Sequence, residues 1–358
     1  MRQFQITKDN ISDVRLIACE APQPSAGEIL MKVERFGLSA NNITYAVAGD
    51  TLGYWQFFQP LGEGTDGKGL MPVWGFAEIV TSDVPDLTVG ERIFGYFPPA
   101  DLVVMKPAGT TPSHFFDSSE HRAHLPKGYN IYRRVEAEPG YTRAGDDIRM
   151  LLYPLYVTSF VIADQLDEHG FYDADTVLVI SASSKTSIGL AYALEASGKQ
   201  VIGMTSSGNR EFVEGLGIYS SVVCYDEIEA RVEKRPTAIV DMAGNADLLG
   251  DLHTHLADHM KRTLSVGLTH WEAERRSSHV IKDRTEFFFA PSRIQHRMKD
   301  WGAAEFNAKS AAFVMDAGKK SSTWLNLKTL DGLDGLASVY DAVLEGKADP
   351  RDGLLIEM

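Results

Sequence analysis

The chain has 358 residues, 44% of them hydrophobic and 23% charged, with a formal net charge of −14. This length allows two domains with sizeable cores, and the composition is that of a folded globular protein rather than a disordered one. The acidic balance argues against nucleic acid or an anionic membrane as the main partner, since both require a broad basic surface.

Cys19 and Cys224 lie far apart, in no metal-type cluster, and fit a reducing compartment. The opening MRQFQITKDN has no apolar signal-type core, and no run approaches the roughly 18 apolar residues of a membrane span. A cytoplasmic protein with a small-molecule partner is the expectation.

Early in the chain, EILMKVERFGLSA, AEIVTS, GERIFGYF and LVVMKP are short strands, many set off by Gly, Pro or Asp. They predict a compact, mostly β domain of barrel or sandwich kind. The next segment, His114 to Arg149, shows no clear period. Its His114, His121, His124, Lys127, Tyr129, Arg133 and Arg134 could grip a substrate carboxylate or phosphate, or form only a polar surface excursion.

PLYVTSFVIADQLDEHG then predicts a helix leading into VLVI (177–180). Further apolar runs follow at QVIGMT (200–205), SVVCY (221–225), AIVDMA (238–243), TLSVGLT (263–269) and EFFFA (286–290), with helical patterns between several of them. Continuous apolar strands alternating with helices indicate a parallel sheet covered on both faces. His253, His255 and His259 read as a solvated helix face after the fourth of these strands. The tail LDGLASVYDAVLEGKADPRDGLLIEM predicts an amphipathic helix, a turn and a closing strand. The fold class is therefore α/β, with one domain over 1–150, joined by a returning 318–358, and a second over 151–317.

In VLVISASSKTSIGLAYAL a strand runs through a turn into a helix, where doubly wound proteins hold pyrophosphate. The usual glycines let backbone approach phosphate closely, but here Ser181, Ser183, Ser184, Lys185 and Thr186 occupy the turn and Gly189 is the nearby glycine. Serine hydroxyls, the lysine charge and the N–H groups of a helix start can still hold an anion. In the competing view, Ser183 and Ser184 merely cap the helix. A triphosphatase-type phosphate loop is rejected, because Val179 and Ser184 stand where its glycines belong.

The tip of the second strand carries Ser206, Ser207, Asn209 and Arg210, with no carboxylate before Glu211. An acidic residue there would favour a bare ribose, whereas hydroxyls and an arginine suit a 2′-phosphate, so the expected cofactor is NADP(H).

In order and spacing, these parts resemble the medium-chain dehydrogenase/reductase superfamily. GEILMKVERFGLSANNITYAVAG is similar to its barrel opening, PDLTVGERIFGYF to a characteristic turn, VLVISASSKTSIGLAYAL and GKQVIGMTSSGNREFVEGLGI to the cofactor turn and second strand, and VYDAVLEGKADPRDGLLIEM to the closing helix and strand. The resemblance covers most of the chain, least so 109–150. It implies a GroES-like β-barrel catalytic domain plus a Rossmann-type doubly wound parallel sheet, and a homodimer through the edge of that sheet. Among subgroups the chain is similar to an uncharacterised reductase-like set carrying ASSKT, THWE and FFFAP, which brings no established reaction.

Many members of the superfamily hold catalytic zinc. Here Leu38-Ser39-Ala40 follows Gly37 where a cysteine is usual, and Gly75-Phe76-Ala77 stands where Gly-His-Glu is usual, so a zinc-independent site is expected. In the zinc-free quinone and enoyl reductases, polar residues and tyrosines after the first motif reach the substrate. The resemblance carries that role to Asn42, Tyr45 and Tyr54, with Tyr54 similar to the proton-donating tyrosine and Tyr45 able to exchange with it.

Trp55, Phe57, Phe58, Trp74, Tyr96 and Phe97 could line the same site for an apolar or aromatic substrate, or form the barrel core. Resemblance also implies that Gly244, Asn245, Gly267, Thr269, Phe289 and Ala290 contact the cofactor and that His270 is a second acid/base candidate. The expected function is NADPH-dependent hydride transfer to an activated C=C or C=O. The alternatives are a lyase or hydrolase without redox chemistry and a noncatalytic NADPH-binding sensor.

Overall fold

Alternating apolar residues shape the first strands of the computed structural model, which describes residues 1–267 and 279–358. In β1 (Arg2–Thr7), Phe4 and Ile6 turn inward; the strand pairs antiparallel with β2 (Asn10–Ala18) on one side and β4 (Lys68–Gly69) on the other. β3 (Ile29–Leu38) buries Ile29, Met31 and Val33, then leads through Ser39 into α1 (Ala40–Val47). A second sheet grows from β3 through β5 (Val73–Ser82), β6 (Arg92–Phe97) and β10 (Ile131–Arg134) to β9 (His114–Asp117) and β8 (Pro107–Ala108); β7 (Leu102–Met105) pairs with β3 off that path. The segment without clear period thus contributes strands to the barrel sheet.

α2 (Asp146–Glu168) precedes the parallel series β11 (Thr176–Ile180), α3 (Lys185–Leu194), β12 (Gln200–Thr205), α4 (Arg210–Gly215), β13 (Ser221–Cys224), α5 (Ile228–Arg231), β14 (Thr237–Asp241), α6 (Ala246–Leu256), β15 (Met260–Ser265) and β16 (Thr285–Phe287). Among the described residues these strands form one parallel sheet in the order β13-β12-β11-β14-β15-β16. This is the doubly wound arrangement, and its order reverses between β11 and β14, where such sheets bind ligands at the carboxyl ends of their strands.

α3 approaches α2 closely because residue 189 is glycine: a Cβ there would lie 2.5 Å from Tyr156 Cδ1 and 2.7 Å from Ser159 Oγ. After α7 (Ala290–Trp301) and α8 (Ala303–Ser321), the chain adds β17 (Asn326–Asp331), α9 (Gly332–Leu344) and β18 (Asp352–Glu357); β18 pairs with β3, extending the barrel sheet. Two units result, Met1–Leu151 with Leu325–Met358, and Leu152–Trp324. The fold is that of a GroES-like barrel domain and a Rossmann-type domain.

His253 departs from the expected solvated face. It is buried on α6, where its Nδ1 accepts the Ile281 N–H at 2.9 Å, so the proton sits on Nε2, 2.9 Å from Thr263 Oγ1. Burial pushes its pKa down to about 4. The unfolded chain therefore binds a proton that the native state refuses. Stability should fall as pH drops from about 6.5 towards 4, by about 3 kcal/mol from this group. Denaturant titrations at several pH values should show that fraction of the loss disappear in His253→Gln.

Candidate functional site

In the Rossmann-type unit, β11 ends at Ile180 and α3 starts at Lys185, leaving a short turn at the carboxyl end of the first strand. Ser181 adopts a left-handed φ of 63°, so the turn keeps a glycine-type backbone although a serine occupies it. The Tyr225 side chain hydrogen-bonds to Ser181. Ser184 does cap α3: its Oγ accepts the Ser187 N–H at 3.2 Å and donates to Ser187 Oγ at 2.8 Å. Ser183 is buried, and its hydroxyl accepts from Asn209 Nδ2 at 3.1 Å, which ties the turn to the tip of β12. Lys185 and Thr186 form the first residues of α3, and the Thr186 carbonyl accepts from Ser159 Oγ at 2.7 Å.

β12 ends at Thr205, whose hydroxyl is buried without a hydrogen-bond partner among the described residues. Ser206 and Ser207 follow, the second exposed. The Arg210 guanidinium is ion-paired with Glu227. The carboxylate that the tip lacks in sequence thus comes from the turn after β13. Parallel pairing of Thr205 with Cys224 brings the two turns side by side, and that register is the signal that could have found it.

At the end of β14, Asp241 Oδ1 accepts the N–H groups of Ala243 at 2.9 Å and Gly244 at 3.0 Å, and Gly244 takes φ 69°. The Gly267 N–H donates to the Asp241 carbonyl at 3.1 Å, and a Cβ at 267 would lie 2.4 Å from the Met242 carbonyl oxygen. Gly244 and Gly267 are therefore brought together around one strand end. Asn245 caps α6 by accepting the Leu248 N–H at 3.0 Å. Phe289 and Ala290 stand at the start of α7. Thr269 and His270 lie outside the described residues.

The barrel unit gathers a cluster of aromatics. Tyr45 on α1 and Tyr54 in the following turn have ring centroids 4.7 Å apart, and Tyr54 Oη lies 3.2 Å from Tyr129 Oη. Trp74 Nε1 donates to Tyr45 Oη at 3.2 Å, and Tyr96 packs on Tyr129 with centroids 4.8 Å apart. The Tyr96 hydroxyl is buried without a partner among the described residues. Burial pushes the phenols of Tyr45, Tyr54 and Tyr129 above the ordinary tyrosine range, so all are neutral at physiological pH.

Tyr129, grouped in the sequence with basic residues, belongs instead to this cluster. The basic segment is largely engaged within the protein: Arg134 pairs with Glu91, His121 Nε2 lies 3.1 Å from the Phe57 carbonyl, and His124 Nε2 lies 2.9 Å from Gln56 Oε1. Asn42 is also committed, its Oδ1 accepting the Ser39 N–H at 2.9 Å and its Nδ2 donating to the Pro72 carbonyl at 3.1 Å. These two bonds anchor the start of α1.

Glu168, His296 and Asp300 could bring ligand atoms within 4.8 Å of one another. However, Arg293 and Arg297 pair with these carboxylates, and two guanidiniums oppose a bound cation.

The model of a family described as "Protein of unknown function (DUF2855)" matches residues 36–349. The chain belongs to this family. No curated protein matches this DUF2855 member. Among solved structures it is similar to CurA from Vibrio vulnificus in complex with NADPH, at 14% identity and TM-score 0.67, covering 100% of this chain and 99% of that one. It is also similar to the quinone oxidoreductase from Coxiella burnetii, at 16% identity and TM-score 0.58 over 100% and 99% of the two chains. A third is mycobacterial Rv1454c complexed with NADPH, at 13% identity and TM-score 0.57 over 100% of each chain. At identities this low the likeness establishes a shared fold alone.

Proposed function

We propose that this DUF2855 protein is a zinc-independent, NADPH-dependent reductase acting on an activated C=C or C=O of a small apolar or aromatic substrate of enone, enoyl or quinone type. The observation that carries this reading is the buried phenol cluster around Tyr54 and Tyr129, whose hydroxyls lie 3.2 Å apart. A phenol kept protonated by burial is a proton donor at neutral pH, and the neighbouring hydroxyl fixes its direction. Tyr54 delivers the proton, Tyr129 orients it, and Tyr45, held by Trp74, is the second donor candidate. The surrounding rings favour an apolar or aromatic acceptor.

NADPH, when bound, would supply the hydride. The left-handed Ser181, the start of α3 and the unpartnered Thr205 hydroxyl support a fit to a dinucleotide. Ser181, Ser183, Ser184, Lys185 and Thr186 would hold its pyrophosphate, and Ser206, Ser207, Asn209 and Arg210 its phosphorylated ribose. Gly244, Asn245, Gly267, Thr269, Phe289 and Ala290 would line the rest, with His270 as a further acid/base group. The NADPH named for CurA and Rv1454c supports the cofactor, and the quinone oxidoreductase supports the acceptor class. Zinc independence rests on Ser39 and Phe76 standing near positions where thiolate and imidazole are usual.

Fluorescence titration with NADPH and NADH tests the assignment. NADPH should bind more tightly, and Lys185→Ala should weaken it by about tenfold, the loss of one charge-assisted contact. Added quinone or enone acceptors should then consume NADPH. Product formed without cofactor consumption would transfer the protein to the lyase or hydrolase class.

A further inference from the structure

Arg210 sits between two carboxylates. Its Nη2 pairs with Glu227, while Nε faces Glu214, one turn further along α4, at 3.8 Å. Glu227 Oε2 also accepts the Cys224 N–H at 3.0 Å and lies 3.8 Å from Arg231 Nη1. The Cys224 N–H first, and then the Arg210 guanidinium, hold the Glu227 carboxyl below the ordinary range, so it is charged at neutral pH. The side chains of Arg210 and Glu227 remain 30% and 27% exposed, so the pair is open to water and can exchange.

A ribose 2′-phosphate arriving at Ser206 and Ser207 carries between one and two negative charges. To receive Arg210 it must draw the guanidinium from Glu227 and then face a carboxylate left with the Cys224 N–H and the more distant Arg231. A bare 2′-hydroxyl makes no such demand and can donate to a carboxylate.

We infer that Glu227 is a specificity-determining residue that restrains Arg210 and so narrows the preference for NADPH over NADH. This rests on the dinucleotide assignment proposed above.

The test is a pair of fluorescence titrations, NADPH and NADH, on the full chain as wild type, Glu227→Gln, Arg210→Gln and the double variant. The amide oxygen that Glu227→Gln introduces retains an acceptor for the Cys224 N–H, so the turn is preserved. Glu227→Gln should tighten NADPH by about tenfold and change NADH by less than about twofold. Arg210→Gln should weaken NADPH by more than about tenfold, because the phosphate then loses its guanidinium and faces Glu227 with only Arg231 3.8 Å from that carboxylate, and the double variant should lose the gain.

An unchanged NADPH-to-NADH ratio in Glu227→Gln would overturn the inference while leaving the dinucleotide assignment intact. Failure of the wild type to bind either nucleotide would overturn both. If Glu227→Gln does not fold, Arg210→Gln decides alone: an equal loss for both nucleotides would show that Arg210 does not read the 2′-phosphate.

Discussion

Asp117→Ala is expected to destabilise the barrel unit by about 3–5 kcal/mol, because it leaves the Arg122 guanidinium buried without its counter-ion. Both side chains are 1% exposed, with Arg122 Nη1 3.0 Å from Asp117 Oδ2. The other two guanidinium nitrogens also donate: Nε to Asn130 Oδ1 at 2.6 Å, and Nη2 to Tyr132 Oη at 2.8 Å and to the Tyr129 carbonyl at 3.2 Å. Asp117 Oδ1 in turn accepts from the N–H groups of Lys106 at 3.0 Å and Ser119 at 3.1 Å.

Thermal unfolding should move down by on the order of 10 °C. The double variant Asp117→Ala/Arg122→Met should recover part of the loss, since removing both charges is less costly than stranding one. A single-variant loss below about 1 kcal/mol would show that the pair is not insulated from water. Because Arg122 stacks 4.7 Å from the Phe58 ring centroid and holds the Tyr129 carbonyl, the single variant should also loosen the phenol cluster.

The parallel sheet was legible because its strands are buried on both faces and read as unbroken apolar runs; QVIGMT occupies β12 from end to end. β17 left no such trace, since most of NLKTLD is exposed and no inward period marks it. The segment from 109 to 150 was opaque for another reason: its short strands β9 and β10 are fixed by side-chain bonds such as those of Arg122, which only the folded chain brings together. The cofactor turn was legible in position but not in conformation, because a serine at φ 63° is not written in local propensity. Glu227 was missed, and Tyr129 was grouped with basic residues, because each reaches its partner through tertiary pairing, 17 residues from Arg210 in one case and 75 from Tyr54 in the other.

Tyr54→Phe should lower turnover with NADPH and a quinone or enone acceptor by about 10²–10³-fold, the usual contribution of one positioned general acid. NADPH affinity should stay within about twofold, because the changed hydroxyl belongs to the barrel unit and not to the turn that would hold phosphate. Tyr129→Phe should cost less, about tenfold, since it removes the partner 3.2 Å from the donor and leaves the donor itself. Burial raises the Tyr54 phenol above its ordinary value of 10.0, so the donor keeps its proton as pH rises through that value. The alkaline fall in turnover should therefore begin above the ordinary tyrosine range.

Tyr45→Phe separates the two donor candidates. If Tyr45 is the donor, its loss and not that of Tyr54 will abolish turnover, and the Trp74 N–H at 3.2 Å then becomes the group that aims it. Retention of full turnover by both single variants would remove the phenol cluster from the chemistry and with it the observation on which the reductase proposal stands.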